Sequence, residues 1–246
     1  MADFFMQIAG HTARVRSLFT STPDFFRKYL TDEAPGFTIT VTPEDLIFEQ
    51  QDALEEAREE GFKPRIFPDP FLERAAIQRQ FAEYLIRHDI LLFHGSLVAV
   101  DEEGYLFTAR SGTGKSTHTR LWQQVFGQRA RMVNDDKPFL RITDAGVLAY
   151  GSPWSGKHGL DSNICVPLKG ICLLERGVEN QIFPADKEQL LSMLQKQAYT
   201  PMDPTSAALK EALVNALAEK IPLWRMRCNK DPQAAEVSYT AMSQSK

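Results

Sequence analysis

The chain has 246 residues, of which 43% are hydrophobic and 24% are charged, and its formal net charge at pH 7 is −4. This length allows one large α/β domain or two small ones with a substantial core. The acidic balance argues against a general nucleic-acid-binding protein, which would carry a basic face. No apolar run approaches the length of a membrane span, and the N-terminus, with an acidic Asp3, lacks a signal-peptide pattern. We therefore expect a cytoplasmic protein without nucleic-acid or membrane partners.

The chain contains three cysteines, Cys165, Cys172 and Cys228, which form no metal-binding pair. A disulfide between any two of them would leave an odd thiol. We therefore expect reduced and mostly buried cysteines, as is typical of a cytoplasmic protein.

The N-terminal region, residues 1–88, has the pattern of a packed α/β subdomain. The sequence predicts, in chain order, two short strands around Gly10, a helix from Ser21, a strand over 37–41, an acidic helix start at Thr42, and a longer helix from Asp69 to about His88. Ile47 and Phe48 leave a strand open as the alternative after Thr42.

Residues 89–246 alternate apolar strands with amphipathic helices. The sequence predicts, in chain order, a strand pair over 91–93 and 97–100, a strand through 105–107, a helix over 117–126, a strand ending near Asn134, a meander over 139–142 and 147–150, a strand over 165–175, helices over 187–196 and 206–220, a strand over 223–227, and a helix over 232–242. Alternating elements of this kind indicate an α/β fold.

The most informative stretch, residues 109–116, reads Ala-Arg-Ser-Gly-Thr-Gly-Lys-Ser. It matches a phosphate-binding loop with Ala in place of the usual first Gly, set between an apolar strand and a helix. Glycines let backbone N–H groups surround a phosphate at the positive end of the helix. The alternative is a chance match in a Gly/Ser turn. The expected nucleotide-binding residues are Arg110, Ser111, Gly112, Thr113, Gly114, Lys115, Ser116 and Thr117.

The end of this stretch supplies the groups that a magnesium–nucleotide complex needs. Lys115 is expected to reach the β- and γ-phosphates, and the Ser116 hydroxyl is expected to ligate Mg²⁺. We therefore expect ATP and Mg²⁺ as cofactors, with Mn²⁺ as an alternative metal.

Two adjacent carboxylates, Asp135 and Asp136, follow the predicted strand that ends near Asn134. A carboxylate at a strand end facing the phosphates can hold Mg²⁺, and a second one can accept a proton from an attacking hydroxyl. A solvated turn is the alternative, because Asn-Asp-Asp-Lys-Pro is also favourable turn chemistry.

Two further features are candidates for the same site. His94 precedes the strands that lead into the glycine loop, although a lone histidine is more often structural. Residues 151–159, Gly-Ser-Pro-Trp-Ser-Gly-Lys-His-Gly, form a glycine-rich segment in which Lys157 could neutralise phosphate charge and Trp154 could shape an acceptor pocket. An ordinary exposed connection between strands is the alternative for this segment.

Taken together, these motifs resemble the phosphoenolpyruvate carboxykinase and HPr kinase/phosphorylase superfamily. The resemblance rests on Phe93-His94-Gly95-Ser96, on the loop over 109–117 and on Asp135-Asp136, and it covers roughly 90–142. It implies an α/β fold with a PEP carboxykinase/HPr kinase-like P-loop core over 89–246 and an N-terminal α/β elaboration over 1–88.

The resemblance also implies roles for individual residues. Lys115 would bind the nucleotide phosphates, Ser116 and His94 would serve the metal, and Asp135 and Asp136 would divide metal binding and phosphoryl transfer between them. The two aspartates cannot be told apart at this level. Lys157 is added as a catalytic candidate from its own segment.

The chain also departs from both families. Carboxykinases are about twice this length and carry further Arg and Lys residues for the oxaloacetate carboxylates, which have no counterpart here. HPr kinases have a Glu-containing helix start after the loop, where this chain has residues 116–122, Ser-Thr-His-Thr-Arg-Leu-Trp. These departures indicate a short, divergent HPr-kinase-like branch.

The sequence therefore predicts an ATP-dependent phosphotransferase that acts on a hydroxyl of a small molecule or of a protein Ser/Thr. The alternative is a non-catalytic ATP-binding regulatory protein, and carboxykinase activity ranks below both. The expected partners are a nucleotide and an acceptor of unknown identity. HPr kinases are oligomeric as a family, so a homo-oligomer is an alternative for which no interface residue can be named.

Overall fold

The structure, a computed structural model, describes residues 1–59 and 61–244. It divides the chain into two compact units, Met1–Tyr84 and Leu85–Lys246. Strands and helices are mixed along both units, which places the chain in the mixed α/β class. No helix among the described residues combines the length and the apolar character that crossing a membrane requires.

The first unit contains a three-stranded sheet, two complete helices and all but the last residue of a third helix. Its elements are β1 (Ala2–Ile8), β2 (His11–Ser17), α1 (Thr22–Phe25), β3 (Phe37–Thr40), α2 (Pro43–Glu59) and α3 (Asp69–Leu85). β1 and β2 form an antiparallel hairpin, and β3 lies parallel to β2. Ala9 and Gly10 make the hairpin turn with positive φ angles of 50° and 77°, as a two-residue turn matched to the strand twist requires. The two strands predicted around Gly10 are thus confirmed, and the alternative of a strand after Thr42 is wrong.

Two buried carboxylates stabilise this unit. Glu73 of α3 is fully buried and accepts hydrogen bonds from the backbone N–H of Leu18 and from the Thr22 hydroxyl. The second is Glu49 of α2, which forms an ion pair with Arg79 of α3, with 2.6 Å between Arg79 Nε and Glu49 Oε1. Each buried charge therefore has hydrogen-bonding partners, which offset the cost of removing it from water.

The second unit is built on a nine-stranded sheet. Its strands are β4 (Ile90–Leu92), β5 (Ser96–Val100), β6 (Glu103–Thr108), β7 (Ala130–Asn134), β8 (Phe139–Thr143), β9 (Gly146–Tyr150), β10 (Cys165–Arg176), β11 (Gln181–Pro184) and β12 (Leu223–Cys228). Its helices are α4 (Lys115–Phe126), α5 (Lys187–Gln197), α6 (Pro204–Lys220) and α7 (Gln233–Ser243).

The strand order in this sheet is β4-β8-β9-β10-β6-β5-β7, with β12 on β10 and β11 on β12. β10 lies parallel to β6 and to β12, and the remaining pairs are antiparallel. The predicted pairing of 91–93 with 97–100 is wrong. β4 pairs with β8 and β5 pairs with β6 and β7, because the chain between β4 and β5 passes from one part of the sheet to another.

Side chains of the central strands alternate between two apolar cores. On β6, Leu106 faces one core, while Tyr105 and Phe107 face the other. The first core is closed by residues of α5 and α6, and the second by residues of α4 and α7. Successive residues of a strand point to opposite faces, so a strand that is buried on both faces has consecutive apolar residues. Tyr105, Leu106 and Phe107 of β6 show this pattern.

Three details of this unit differ from the sequence prediction. The helix after the glycine loop begins at Lys115, two residues earlier than predicted, since the loop ends in the first turn of α4. The short strand β11 was not predicted; its four residues alternate too little for a periodic signal. Cys165 is exposed, so the expectation of mostly buried thiols holds for Cys172 only, with Cys228 half-buried.

Candidate functional site

The topology brings the sequence-predicted residues to one edge of the large sheet. β5 runs antiparallel to both β6 and β7, so its start lies at the edge where those two strands end. His94 precedes β5, the loop over 109–114 follows β6, and Asp135 follows β7. We call this group of residues, with Lys115 and Asp136, the charged edge.

The loop over 109–114, hereafter the glycine loop, joins β6 directly to α4. Gly112 and Gly114 have φ angles of 73° and 127°, a region in which other residues are strained. Arg110, Ser111 and Gly112 are exposed, whereas Thr113, Gly114, Ser116 and Thr117 are half-buried. The loop therefore presents its first half to solvent at the N-terminus of a helix, where backbone N–H groups and the helix dipole favour anions.

Lys115 lies beneath this loop as the first residue of α4. Its side chain is 9% exposed, and its Nζ donates a hydrogen bond of 3.4 Å to the carbonyl oxygen of Ala109. The ammonium group is therefore held against the loop backbone, not extended into solvent.

His94 and Asp136 form a pair at the centre of the charged edge. The His94 Nε2 lies 3.3 Å from Asp136 Oδ1, and both side chains are about one-third exposed. Burial is the largest single influence and raises the pKa of the Asp136 carboxyl. The hydrogen bond from His94 and the nearby charges of Lys137 and Lys115 together outweigh burial, and the pKa falls to about 2. Asp136 is therefore ionised throughout the neutral range.

The imidazole of this pair is held in its neutral form. Burial lowers the pKa of His94, and although the Asp136 carboxylate opposes that effect, the charges of Lys137 and Lys115 add to it. The same two lysines also lower the pKa of Asp136. Since Lys115 acts on both members of the pair, the glycine loop and the His94–Asp136 pair belong to one electrostatic environment.

Asp135 has a different environment from its neighbour. Its side chain is buried, and its Oδ1 accepts a hydrogen bond of 2.7 Å from the Ser96 hydroxyl. Ser96 in turn lies 2.8 Å from the hydroxyl of Thr119 on α4. This chain of hydrogen bonds connects the start of β5, the end of β7 and the helix that follows the glycine loop, so Asp135 fixes the geometry of the charged edge.

Backbone contacts hold His94 and Asp136 at their separation. The N–H of Gly95 donates to the carbonyl oxygen of Asp136 at 3.0 Å, and the Thr108 hydroxyl donates to the carbonyl oxygen of His94 at 3.1 Å. A Cβ at Gly95 would lie 2.8 Å from a methyl carbon of Leu106. A side chain at this position would therefore force Leu106 of β6 to shift.

Asn134 connects the aspartate pair to the segment over 151–159. Its Oδ1 accepts from the backbone N–H groups of Asp136 and Lys137 at 2.8 and 2.6 Å, which forms an Asx-type turn. Its Nδ2 donates to the carbonyl oxygen of Ser152 at 2.8 Å. The turn chemistry that offered an alternative to function is therefore present, and it also orients Asp136.

The segment over 151–159 has a buried half and an exposed half. Gly151 to Ser155 are buried, and a Cβ at Gly151 would lie 1.9 Å from the carbonyl oxygen of Ser162, so no other residue fits there. Trp154 packs its ring against Phe139 with centroids 6.5 Å apart, and it presents little surface.

The exposed half of the segment passes beside the charged edge. Gly156 lies so close to Asp136 that a Cβ there would be 3.4 Å from the Asp136 Cβ. Lys157 and His158 follow on an exposed 3₁₀ turn. The structure thus places the predicted Lys157 one residue after the contact with Asp136.

Sequence reasoning missed several residues that build this site. Ser96 and Thr119 carry no motif, because a single hydroxyl in a strand or helix has no distinguishing pattern. The C-terminal end of α5 was also missed: the carbonyl oxygen of Gln197 accepts from the backbone N–H of His94 at 2.8 Å. A contact between residues about one hundred positions apart leaves no local signal in a single sequence.

The described residues contain no group of three or more His, Cys, Asp or Glu side chains that could by themselves hold a metal ion. Mg²⁺ bound with a nucleotide does not need such a group, because one or two carboxylates or hydroxyls suffice when phosphates and water supply the other ligands. The Asp136 carboxylate and the Ser116 hydroxyl are hard oxygen donors of the required kind. The residues present therefore fit a magnesium–nucleotide complex.

No protein-family model matches the chain, and no curated protein matches it by sequence. Among solved structures, it is similar to the HPr(Ser) kinase/phosphatase from Coxiella burnetii, with 10% sequence identity and a TM-score of 0.35. The match covers 61% of this chain and 95% of that one. The likeness is distant, and it assigns neither a substrate nor a reaction to this chain.

Proposed function

We propose that this protein is a magnesium- and ATP-dependent phosphotransferase whose second unit is a divergent HPr-kinase-like P-loop core. Its reaction would transfer the γ-phosphoryl group of ATP to a hydroxyl of a small molecule or of a protein Ser/Thr. The new bond joins the acceptor oxygen to the γ-phosphorus, the bond from that phosphorus to the β–γ bridging oxygen breaks, and ADP leaves.

One observation carries this proposal: a lysine at the start of a helix, beneath a glycine loop, shares its electrostatic environment with an ionised carboxylate. The charge of Lys115 lowers the pKa of both His94 and Asp136. Phosphoryl transfer demands mainly positioning and charge neutralisation, which a cationic loop and a metal-binding carboxylate on the same edge supply.

The environments of the two aspartates suggest how they divide the work. Asp136, with a pKa of about 2, is a weak base and a good ligand for Mg²⁺. Asp135 accepts from Ser96 and holds the position of its neighbour. Because the transition state of phosphoryl transfer is loose, the proton of the acceptor hydroxyl leaves late, and a weakly basic carboxylate such as that of Asp136 is sufficient to accept it.

The other predicted residues take supporting roles in this scheme. Lys115 and the amides of the glycine loop bind the phosphates, and Ser116 completes the protein ligands of Mg²⁺. Neutral His94 donates to Asp136 and orients its carboxylate. Lys157, on its exposed turn, would neutralise charge on the transferred phosphoryl group.

The test is isothermal titration of ATP with and without Mg²⁺, followed by measurement of ADP release with candidate hydroxyl acceptors. We would run it on wild type, on Asp136→Asn and on Asp144→Asn, an exposed aspartate of the β8–β9 turn that serves as the matched control. We expect Mg²⁺-dependent ATP binding and acceptor-stimulated ADP release in wild type and in the control. Asp136→Asn should lose both the Mg²⁺ dependence and the release.

The outcomes separate the proposal from its rivals. Tight ATP binding with no ADP release under any acceptor would identify a nucleotide-binding regulatory protein. Absence of ATP binding by wild type would contradict the proposal outright.

A further inference from the structure

Arg176 is the last residue of β10, and the topology brings it to the charged edge. β10 runs parallel to β6, with Leu173 opposite Thr108, so both strands end at the same edge of the sheet. The Arg176 Nη2 donates a hydrogen bond of 2.8 Å to the carbonyl oxygen of Gly112 in the glycine loop. A strand 64 positions away in sequence thus contributes a cation to this loop.

The charge of Arg176 is not neutralised by its acidic neighbour. The Glu175 carboxylate pairs with Arg225 at 2.6 Å and lies 3.7 Å from Arg227. No ion pair within the described part of the chain, 1–59 and 61–244, includes Arg176. Arg176 is an exposed residue, so a ligand can approach it from solvent.

The chemistry of arginine allows it to bind the loop and an anion at once. A guanidinium carries five N–H donors in a rigid planar fork, and the bond to Gly112 uses one of them. The donors that remain match the oxygens of a phosphate, and bonds to such a charged acceptor are about twice as strong as neutral ones. A lysine could supply the charge but not this fork.

We propose that Arg176 is a phosphate-binding residue of the nucleotide site. One arm of its guanidinium holds the Gly112 carbonyl, and the other donates to the terminal phosphates of the nucleotide. This inference rests on the proposed function, and it deepens it by naming a cation outside the glycine loop that recognises the polyphosphate.

The bond to Gly112 gives Arg176 a second effect on the same ligand. An anion-binding loop works by turning its N–H groups toward the ligand. Holding the carbonyl of Gly112 fixes the orientation of that peptide group, and the loop loses less conformational freedom when the phosphate binds.

The test compares Arg176→Gln and Arg176→Lys with wild type, using isothermal titration with ATP, ADP, AMP and inorganic tripolyphosphate, each with Mg²⁺. Arg227→Gln is the matched control, because Arg227 is an exposed arginine on the neighbouring strand β12. For Arg176→Gln we expect affinity for ATP and tripolyphosphate to fall by about tenfold or more, as for loss of a charge-assisted bidentate contact. The affinity of Arg176→Gln for AMP should differ from that of wild type by less than about twofold. The affinity of Arg176→Lys for ATP should lie between those of wild type and Arg176→Gln.

Four results are decisive. Equal affinities of wild type and Arg176→Gln for ATP would overturn the inference and leave the phosphotransferase intact. An equal loss of affinity for ATP, ADP and AMP would also overturn it, since that result is expected of a purely structural effect on the loop, which does not depend on the number of phosphates. Wild type that binds tripolyphosphate in an Arg176-dependent way but no nucleotide would support the inference and contradict the proposed function. Wild type that binds none of the four ligands would overturn both.

Discussion

Helix α4 borders two regions, each of which contains a histidine, and the two histidines have different surroundings. Its start belongs to the charged edge, where His94 pairs with Asp136 and about one-third of each side chain is exposed. Its middle packs into an aromatic cluster formed with β6 and α7, which consists of Phe107, His118, Trp122, Ser238 and Tyr239. His118 in that cluster is 2% exposed.

Burial lowers the pKa of both histidines, but only one of them has a charged partner. Burial lowers the pKa of His118 to about 4. Its Nε2 lies 3.3 Å from the indole nitrogen of Trp122 and 3.1 Å from the hydroxyl of Ser238, both uncharged groups. The other ring nitrogen, Nδ1, has no hydrogen-bond partner within the described residues.

The difference shows what each region contributes. The charged edge keeps the Asp136 carboxylate about one-third exposed and paired with His94, which suits the binding of a charged ligand. The aromatic cluster excludes charge and contributes apolar packing, which stabilises the helix that positions the glycine loop. Changes in the cluster should therefore affect stability first, and changes at the edge should affect ligand binding first.

The largest expected effect is on stability, at Trp122. Trp122 is fully buried in contact with four Phe and Tyr rings, and its indole N–H also donates to Ser238 at 3.0 Å. We expect Trp122→Ala to lower the free energy of unfolding by about 3–5 kcal/mol, as large-to-small changes in cores do. Trp224→Ala is the control, since Trp224 is only half-buried, and its loss should be clearly smaller in urea unfolding.

The second effect, at Lys115, should appear in turnover and not in stability. Lys115→Ala removes the cation beneath the glycine loop, and we expect nucleotide-dependent turnover to fall by roughly 10²–10³-fold, as for loss of one preorganised charge-stabilising group. The free energy of unfolding should change by about 1 kcal/mol or less. Lys230→Ala, at an exposed position, is the control. If Lys115→Ala turns over nucleotide as fast as wild type, the claim that changes at the charged edge affect function is wrong.

The third effect is the pH dependence that His118 gives to stability. In the unfolded chain this histidine has its ordinary pKa of 6.5, and in the folded protein the pKa is about 4. Above pH 6.5 both states are neutral and the residue contributes no pH dependence. As the pH falls from 6.5 to 4, only the unfolded state gains a proton, so stability is lost, by about 2 kcal/mol at pH 5.

The measurement is the free energy of unfolding at pH 7.5 and pH 5, compared between wild type and His118→Gln. The loss on acidification should be smaller in the variant, because glutamine does not titrate. His158→Gln, an exposed histidine, should behave as wild type. If wild type and His118→Gln lose stability equally over this range, the assignment of a buried neutral imidazole is wrong.

The smallest expected effect connects the two regions. Ser96→Ala removes the hydroxyl that joins Asp135 to Thr119 of α4, and it leaves a buried carboxylate with one donor fewer. We expect a loss of about 1–3 kcal/mol in the free energy of unfolding, together with weaker Mg²⁺ dependence of ATP binding. Ser192→Ala on the exposed face of α5 should change neither property.

Much of the secondary structure was predictable because it depends on local pattern. The apolar run of β6, the glycines of the loop and the amphipathic α4 follow one another in the sequence, and the structure confirms strand and helix there. The partners of β4 and β5 were not predictable, since several apolar strands of similar length compete for the same neighbours. The assignment of site residues to roles stays a prediction, and it is the subject of the experiments above.

The sequence alone determined which groups are present: a glycine loop followed by Lys115, an aspartate pair after a strand, and a histidine before one. These are local features, set by residue type and spacing. Only the tertiary structure decided that Asp135 is buried against Ser96 while Asp136 meets His94, and that Arg176 reaches the glycine loop from β10. Those contacts join residues far apart in the chain, and strand order and register place them together, which no single stretch of sequence encodes.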